Sequence, residues 1–221
     1  MTYPKLFELF ERVECTSDGT AVLDFLGGAI DASYKHTWER NVLPKGKTFK
    51  PGYPGLSEWT IDWIASLSAA VTAGKEFRVV ELGAGYGQWM VTAILAYRSK
   101  QDGIAHGVAV EADPTHYDWL HRHTQRNLGH LDKVDTDLIH AAAGVDGFVE
   151  FPVVDDPSKD YGAAYARSSF YEKTVRVPCL SLSSLYKTFD NAPVDLVHID
   201  IQSIGRIKGL LRLNFLTDPA N

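Results

Sequence analysis

The sequence lacks the features that mark secreted, membrane-spanning and nucleic-acid-binding proteins. Its 221 residues include two cysteines, Cys15 and Cys179, which make neither a disulfide framework nor a metal-ligand spacing. It has no signal-peptide pattern and no apolar run of about 18 residues, so we expect a cytoplasmic protein without a membrane partner. The formal net charge of -6 leaves no basic stripe for phosphates, so we expect no nucleic-acid partner. His121 and His123 stand two apart on a predicted helix and point in different directions, which argues against a metal site.

The first part of the chain is predicted to be an appended unit. Apolar residues recur at helix-like spacing in residues 6–13 and again in residues 22–30. The segment then becomes rich in proline and glycine, and residues 53–55 form a candidate lid. We therefore predict an N-terminal helical extension with a lid loop over residues 1–56, followed by the main domain over residues 57–221.

The main domain is predicted to begin with a strand, a glycine turn and a helix. Residues 77–87 read F-R-V-V-E-L-G-A-G-Y-G, a short apolar run that ends in Gly83, Gly85 and Gly87. This order opens a nucleotide-type βαβ unit, in which the glycines take unusual dihedral angles and the helix presents free N–H groups. Taken alone, such a glycine-rich turn can also be only a turn.

The spacing of the glycines narrows the choice of ligand. A dinucleotide fingerprint requires G-x-G-x-x-G, but this turn reads G-x-G-x-G and continues with Gln88. Glu81 stands two places before the first glycine, where its carboxylate would repel a pyrophosphate. A ligand with positive charge is favoured, and S-adenosylmethionine, which has ammonium and sulfonium groups, satisfies this requirement better than NAD.

Three further strands are predicted to end in residues suited to a ligand. Glu111 closes the second strand, close to the offset of about 20 residues at which a βαβ fold places its ribose-binding carboxylate. The third strand runs into small residues at 141–143, which let a flat ring such as adenine lie against the backbone. The fourth strand, residues 194–200, carries His198 and Asp200 at its carboxyl end.

Together these segments resemble the FkbM-type family of class I S-adenosylmethionine-dependent methyltransferases. The matching pieces are V-V-E-L-G-A-G-Y-G, V-A-V-E-A-D-P, I-H-A-A-A-G and V-D-L-V-H-I-D-I-Q, which together span about residues 77–202. The resemblance implies a doubly wound, Rossmann-like α/β sheet, S-adenosylmethionine as cofactor, and O-methylation of hydroxyl groups, often on sugars or polyketide-type products.

The resemblance also implies the roles of individual residues, each identified from a motif quoted above. It assigns cofactor contacts to residues at three strand ends: Glu81, Gly83 and Gly85 for the methionine part, Glu111 for the ribose, and Ala141 and Ala142 for the adenine. Asp200 takes the position of the acid at the end of the fourth strand. It would orient or deprotonate the acceptor hydroxyl, with His198 and then His140 as weaker candidates.

The end of the chain departs from the family pattern. The family usually continues after I-D-I-Q with Gly-Ala-Glu, whereas Gln202 is followed here by Ser203, and the sequence ends at Asn221. The sheet is therefore expected to lack C-terminal strands and to expose an edge that a second copy of the chain could cover. The leading prediction is an O-methyltransferase that acts on a small-molecule or sugar-containing acceptor. The alternatives are a catalytically incomplete module that binds S-adenosylmethionine, and an NAD-dependent oxidoreductase.

Overall fold

A parallel β-sheet with helices on both faces lies at the centre of the protein. The structure, a computed structural model, describes residues 3–189 and 192–201. The strands are β1 (Cys15–Thr16), β2 (Ala21–Leu23), β3 (Ala29–Asp31), β4 (Thr48–Phe49), β5 (Glu76–Leu82), β6 (Ile104–Glu111), β7 (Val134–His140), β8 (Ala142–Ala143), β9 (Gly147–Pro152), β10 (Thr174–Leu180) and β11 (Leu196–Ile199). The helices are α1 (Tyr3–Phe7), α2 (Thr60–Thr72), α3 (Gln88–Lys100), α4 (Pro114–Leu128) and α5 (Leu182–Tyr186), with short 3₁₀ helices at Ala32–Tyr34, Trp38–Asn41, Tyr165–Phe170 and Lys187–Phe189.

The order of the strands creates a crevice beside β5. Within the described residues, the central sheet runs β11-β5-β6-β7 and every pairing in it is parallel. The chain moves from β5 outward through β6 to β7 on one side, and β11 is added on the other side. The order therefore reverses between β5 and β11, and open α/β sheets bind ligands at such a switch point, beyond the carboxyl ends of the strands.

Alternate residues of β5 enter two different hydrophobic clusters, as expected for a strand that is covered on both faces. Phe77 and Val79 pack in the larger cluster with α2, α3 and α4, and Val80 and Leu82 pack in a second cluster with α5. Glu81 follows the alternation of Phe77 and Val79, so its side chain points toward the first turn of α3 rather than toward α5.

These observations confirm the predicted α/β architecture with a parallel central sheet and the strand–turn–helix opening. Between β7 and β11 in the chain, the strands β8, β10 and β9 form a separate three-stranded sheet, and α5 begins directly after Ser181. The predicted loss of C-terminal strands concerns residues 202–221, which lie outside the described residues. The division at residue 56 stays a prediction, although Phe7, Phe10 and Phe25 pack in the same cluster as α2 and α3.

The prediction that the N-terminal extension is helical is wrong for most of its length. After the single turn of α1, residues 22–30 form the antiparallel pair β2–β3. The turn between them is closed by the Asp24 carboxylate, which accepts hydrogen bonds from the N–H groups of Leu26 and Gly28 at 2.8 and 2.9 Å. Gly27 has a φ of +87° there, a conformation that a helix does not contain. The apolar spacing that indicated a helix is produced by a hairpin with a five-residue turn.

The predicted lid at residues 53–55 is also absent from the crevice. The Tyr53 hydroxyl donates a hydrogen bond to the Phe10 carbonyl at 2.8 Å, and its ring packs against Phe7 and Phe25. No residue of this loop lines the main cavity among the described residues. The loop instead closes the N-terminal part of the core.

Candidate active site

A cavity of about 310 Å³ opens at the carboxyl ends of β5, β6 and β11, within the size range of small-molecule sites. Most of the residues predicted for the site line it: Glu81, Gly83, Gly85, Glu111, Ala141, Ala142, His198 and Asp200. His140 does not line it, because its Nε2 lies 3.0 Å from the Ala112 carbonyl oxygen and its ring stacks on Tyr117. The structure therefore brings the predicted site residues other than His140 together at one edge of the sheet.

The glycine turn is shaped by close packing of the protein itself. Gly83 has a φ of +71°, and a Cβ at this position would overlap the backbone carbonyl oxygen of Asp200. Gly87 has a φ of +80°, and a Cβ there would overlap the side chain of Leu120 on α4. Glycine at these two positions lets the end of β11 and α4 approach the turn closely.

Glu111 holds the glycine turn against the end of β6. Its side chain accepts hydrogen bonds from three backbone N–H groups, those of Gly85 at 2.7 Å, Ala112 at 2.8 Å and Asp113 at 2.7 Å. Burial raises the pKa of this carboxyl group to about 7, although the three hydrogen bonds act in the opposite direction. Glu111 is thus both a structural anchor of the turn and an acceptor at the cavity wall.

The side chain of Glu81 extends from the end of β5 to the N-terminus of α3. Its carboxylate accepts hydrogen bonds from the N–H groups of Trp89 at 3.2 Å and Met90 at 2.8 Å. The residue is 1% exposed, and burial raises the pKa of its carboxyl group to about 8 despite these two bonds. The free donors at a helix N-terminus usually attract anions, and here a side chain of the protein already uses two of them.

His198 is a direct neighbour of Glu81 across the sheet and lies between two acids. Its Nε2 lies 3.1 Å from Oδ1 of Asp62 on α2, and its Nδ1 lies 3.8 Å from Oε1 of Glu81. The Nδ1 atom is buried and has no hydrogen-bond partner within the part of the chain that the structure describes. Because this nitrogen is shielded, His198 is better placed to position Glu81 than to contact an acceptor.

Asp200 lies directly beyond β11, where its backbone N–H donates to the Leu82 carbonyl at 2.9 Å. The residue is exposed and lines the cavity. Of the two predicted catalytic candidates, Asp200 is therefore the accessible one. The two alanines on the opposite wall, Ala141 and Ala142, are both buried, and the Ala141 N–H donates to the Glu111 carbonyl at 3.0 Å.

Several cavity residues were missed by sequence reasoning. The ring of Tyr161 lies against Gly85, where a Cβ atom would be 3.1 Å from it. The same ring stacks on His116, with ring centroids 4.3 Å apart. Tyr161 belongs to the segment between β9 and β10, and Ala163, Ala164 and Tyr165 of the same segment also line the cavity. Lys35 and Asp62 also line the cavity, and both lie in segments without a functional motif.

Acidic side chains outnumber lysines around the cavity, within the described residues. Five carboxylate side chains of the described residues line it: Asp62, Glu81, Glu111, Asp113 and Asp200. A single lysine, Lys35, lines it from the described part of the chain. No group of three or more His, Cys, Asp or Glu residues that could hold a metal ion occurs among the described residues.

Comparison with known proteins agrees with this geometry. Residues 81–203, more than half of the 221-residue chain, match the model of the methyltransferase FkbM domain. The chain belongs to the FkbM methyltransferase family. The matched span begins at Glu81 and includes Glu111, His198 and Asp200, so the family domain contains most of the cavity wall.

A relative from Jannaschia sp. (strain CCS1) supports the same assignment. Its name describes it as a methyltransferase by provisional assignment. The two sequences are 25% identical over 206 residues, which cover 87% of this chain and 70% of that protein. No solved structure matches the chain. Among the described residues, no helix is long and apolar enough to cross a membrane.

Proposed function

We propose that this FkbM-family methyltransferase uses S-adenosylmethionine to methylate a hydroxyl group of a small-molecule or sugar-containing acceptor. When bound, S-adenosylmethionine supplies a methyl group activated by a sulfonium centre. The protein would act as a cytoplasmic enzyme without a nucleic-acid or membrane partner, and a second copy of the chain would be its partner in a homo-oligomer.

The position of Glu81 is the observation that favours S-adenosylmethionine over NAD as the cofactor. In a dinucleotide-binding fold, the pyrophosphate binds the N–H groups at the N-terminus of the helix after the glycine turn. Here Glu81 accepts from the N–H groups of Trp89 and Met90 and brings a carboxylate to that place. An anionic pyrophosphate would be repelled by the ionised form of this group, whereas an ammonium or sulfonium group would stabilise that form. This argues against the NAD-dependent alternative.

The remaining walls fit the other parts of the cofactor. Glu111 lies at the end of β6 with acceptor oxygens suited to ribose hydroxyls. Ala141 and Ala142 present small side chains on the neighbouring wall, where a flat adenine ring could lie against them. The residues of the cavity therefore fit all three parts of S-adenosylmethionine.

Asp200 is the residue that we assign to the acceptor. As an exposed carboxylate at the switch point, it can accept a hydrogen bond from a hydroxyl, orient its oxygen and receive its proton. His198, held by Asp62, lies beside Glu81 on the cofactor side, with its Nδ1 3.8 Å from Oε1 of Glu81. Most of the rate increase would come from holding the reacting atoms in line at a separation of about 3–3.5 Å.

The experiment that tests the cofactor is calorimetric titration with S-adenosylhomocysteine, with NAD as the comparison ligand. We expect binding of the first and not of the second. Glu111→Ala should abolish binding, and Glu150→Ala, which removes an exposed acid on β9, should leave it unchanged. Circular dichroism must show that both variants are folded.

A screen of hydroxyl compounds with S-adenosylmethionine then tests the reaction. Methyl transfer to any of them would exclude the catalytically incomplete module. Tight binding of NAD without binding of S-adenosylhomocysteine would overturn the proposed function.

A further inference from the structure

The ammonium group of Lys35 lies among aromatic rings at the cavity. Its Nζ is 3.9 Å from the ring centre of Tyr161, 5.8 Å from that of Tyr86 and 6.0 Å from that of Trp59. Each distance is within the range of a cation–π contact. The rings and the lysine line the same cavity as the glycine turn, so the ammonium faces the place where a ligand would lie.

Within the part of the chain that the structure describes, the close contacts of this ammonium are to the faces of aromatic rings. Burial lowers the pKa of Lys35, and the charges of Asp200 and Glu58 act in the opposite direction. A partly desolvated ammonium that is held against rings would gain from an anion that a ligand supplied.

The backbone around Lys35 is fixed by the segment that borders the cavity. The hydroxyl of Tyr161 donates to the Tyr34 carbonyl at 2.6 Å, and the N–H of His36 donates to the Ser158 carbonyl at 3.0 Å. These two hydrogen bonds lie on either side of Lys35 in the sequence. They hold the backbone around Lys35 beside the cavity.

We propose that Lys35 binds the carboxylate of the methionine part of the cofactor. This inference rests on the proposed function, because it requires S-adenosylmethionine in the cavity. The methionine part carries a carboxylate beside its ammonium, whereas five of the charged side chains around the cavity are acids. Lys35 is the lysine that can balance the carboxylate, while Glu81 and its acidic neighbours face the positive groups.

The test compares two ligands on two variants. One ligand is S-adenosylhomocysteine, and the other is 5′-deoxy-5′-(3-aminopropylthio)adenosine, which keeps the amine and lacks the carboxylate. Lys35→Gln removes the charge, and Lys50→Gln removes that of an exposed lysine outside the cavity. Affinities are measured by calorimetry at one pH and one salt concentration.

We expect Lys35→Gln to weaken S-adenosylhomocysteine by about 10- to 100-fold, the usual range for a hydrogen bond between charged groups. It should change the affinity for the decarboxylated ligand by less than about threefold, and Lys50→Gln should change neither affinity. An equal loss for both ligands, or no loss for either, would overturn the role of Lys35 while leaving cofactor binding established. Failure of the unmodified protein to bind S-adenosylhomocysteine would overturn the proposed function as well.

Discussion

The affinity for S-adenosylhomocysteine should rise with pH, because Glu81 must lose a proton before it can attract the ligand's ammonium. Burial raises the pKa of this carboxyl group to about 8, so it is mostly protonated in the free protein at neutral pH. The amine of the ligand stays protonated between pH 6 and 8. Binding in this range should therefore release a proton from the protein, and a higher pH favours a process that releases protons.

The size of the effect follows from the ionised fraction of Glu81. With a pKa of about 8, roughly 1% of the carboxyl group is ionised at pH 6, about 10% at pH 7 and half at pH 8. If the bound state requires the ionised form, the affinity rises about tenfold from pH 6 to pH 7 and about 50-fold from pH 6 to pH 8. Titrations in buffers of different ionisation enthalpy should detect about 0.9 proton released by this group at pH 7.

Several groups face Glu81 and must be separated from it. His198 lies beside it on β11 and Asp62 lies behind His198 on α2, and the charges of Asp200 and Glu111 raise the pKa of its carboxyl group further. The carboxyl group of Glu111, whose pKa burial raises to about 7, should also make the affinity for S-adenosylhomocysteine rise with pH. A variant of Glu81 itself is therefore needed to assign the effect.

Glu81→Gln keeps the shape of the side chain and removes its titration. The variant should bind S-adenosylhomocysteine more weakly than the unmodified protein, because glutamine cannot supply the ionised carboxylate that the bound state requires. The ratio of the two affinities should grow by about 50-fold between pH 6 and pH 8. Adenosine, which has no ammonium group, should show no difference between the two proteins. An affinity of the unmodified protein that is flat from pH 6 to 8, or an unchanged slope in Glu81→Gln, would refute the reasoning.

Two other predictions concern the ends of β5 and β11. Gly83→Ala should lower the free energy of unfolding, measured in a urea titration, by at least about 1–2 kcal/mol. The reason is that alanine disfavours the positive φ at this position and its Cβ would overlap the Asp200 carbonyl. Gly74→Ala is the matched control, because its Cβ would meet no atom within 4 Å, and it should change the free energy of unfolding by less than about 1 kcal/mol. Asp200→Asn should lower turnover by about 100-fold or more, with any acceptor that the screen provides, and leave the affinity for S-adenosylhomocysteine within about threefold. Equal stabilities of the two glycine variants would contradict the first, and unchanged turnover would remove Asp200 from the mechanism.

The part of the site that could be predicted from the sequence consists of short contiguous segments. The strand β5, the glycine turn and α3 follow one another without a break, and each shows its own signal of apolar run, glycine spacing or helix period. Glu111 and Asp200 could be placed because both end apolar strands, and parallel strands bring their carboxyl ends to one edge. Local pattern and topology were sufficient for these residues.

The residues that sequence reasoning missed are those whose partners are distant in the chain. Lys35 reaches the cavity because Tyr161 bonds to the carbonyl of Tyr34, which stands 127 residues earlier. Asp62 enters the site through its contact with His198, 136 residues later. No local period indicates such pairs. The N-terminal hairpin is a different case, because the adjacent glycines Gly27 and Gly28 are a local signal against a helix. The helix-like spacing of the apolar residues outweighed that signal in the prediction.

The buried acids connect the fold of the glycine turn to the cofactor that we propose. Glu81 and Glu111 are each held by backbone N–H groups of the turn or of α3. Burial nevertheless makes their ionised forms unfavourable, as the raised pKa of each carboxyl group indicates. A cationic ligand would stabilise the ionised forms, whereas a phosphate would keep the two groups protonated. The arrangement that fixes the glycine turn therefore also favours the cationic cofactor that we propose.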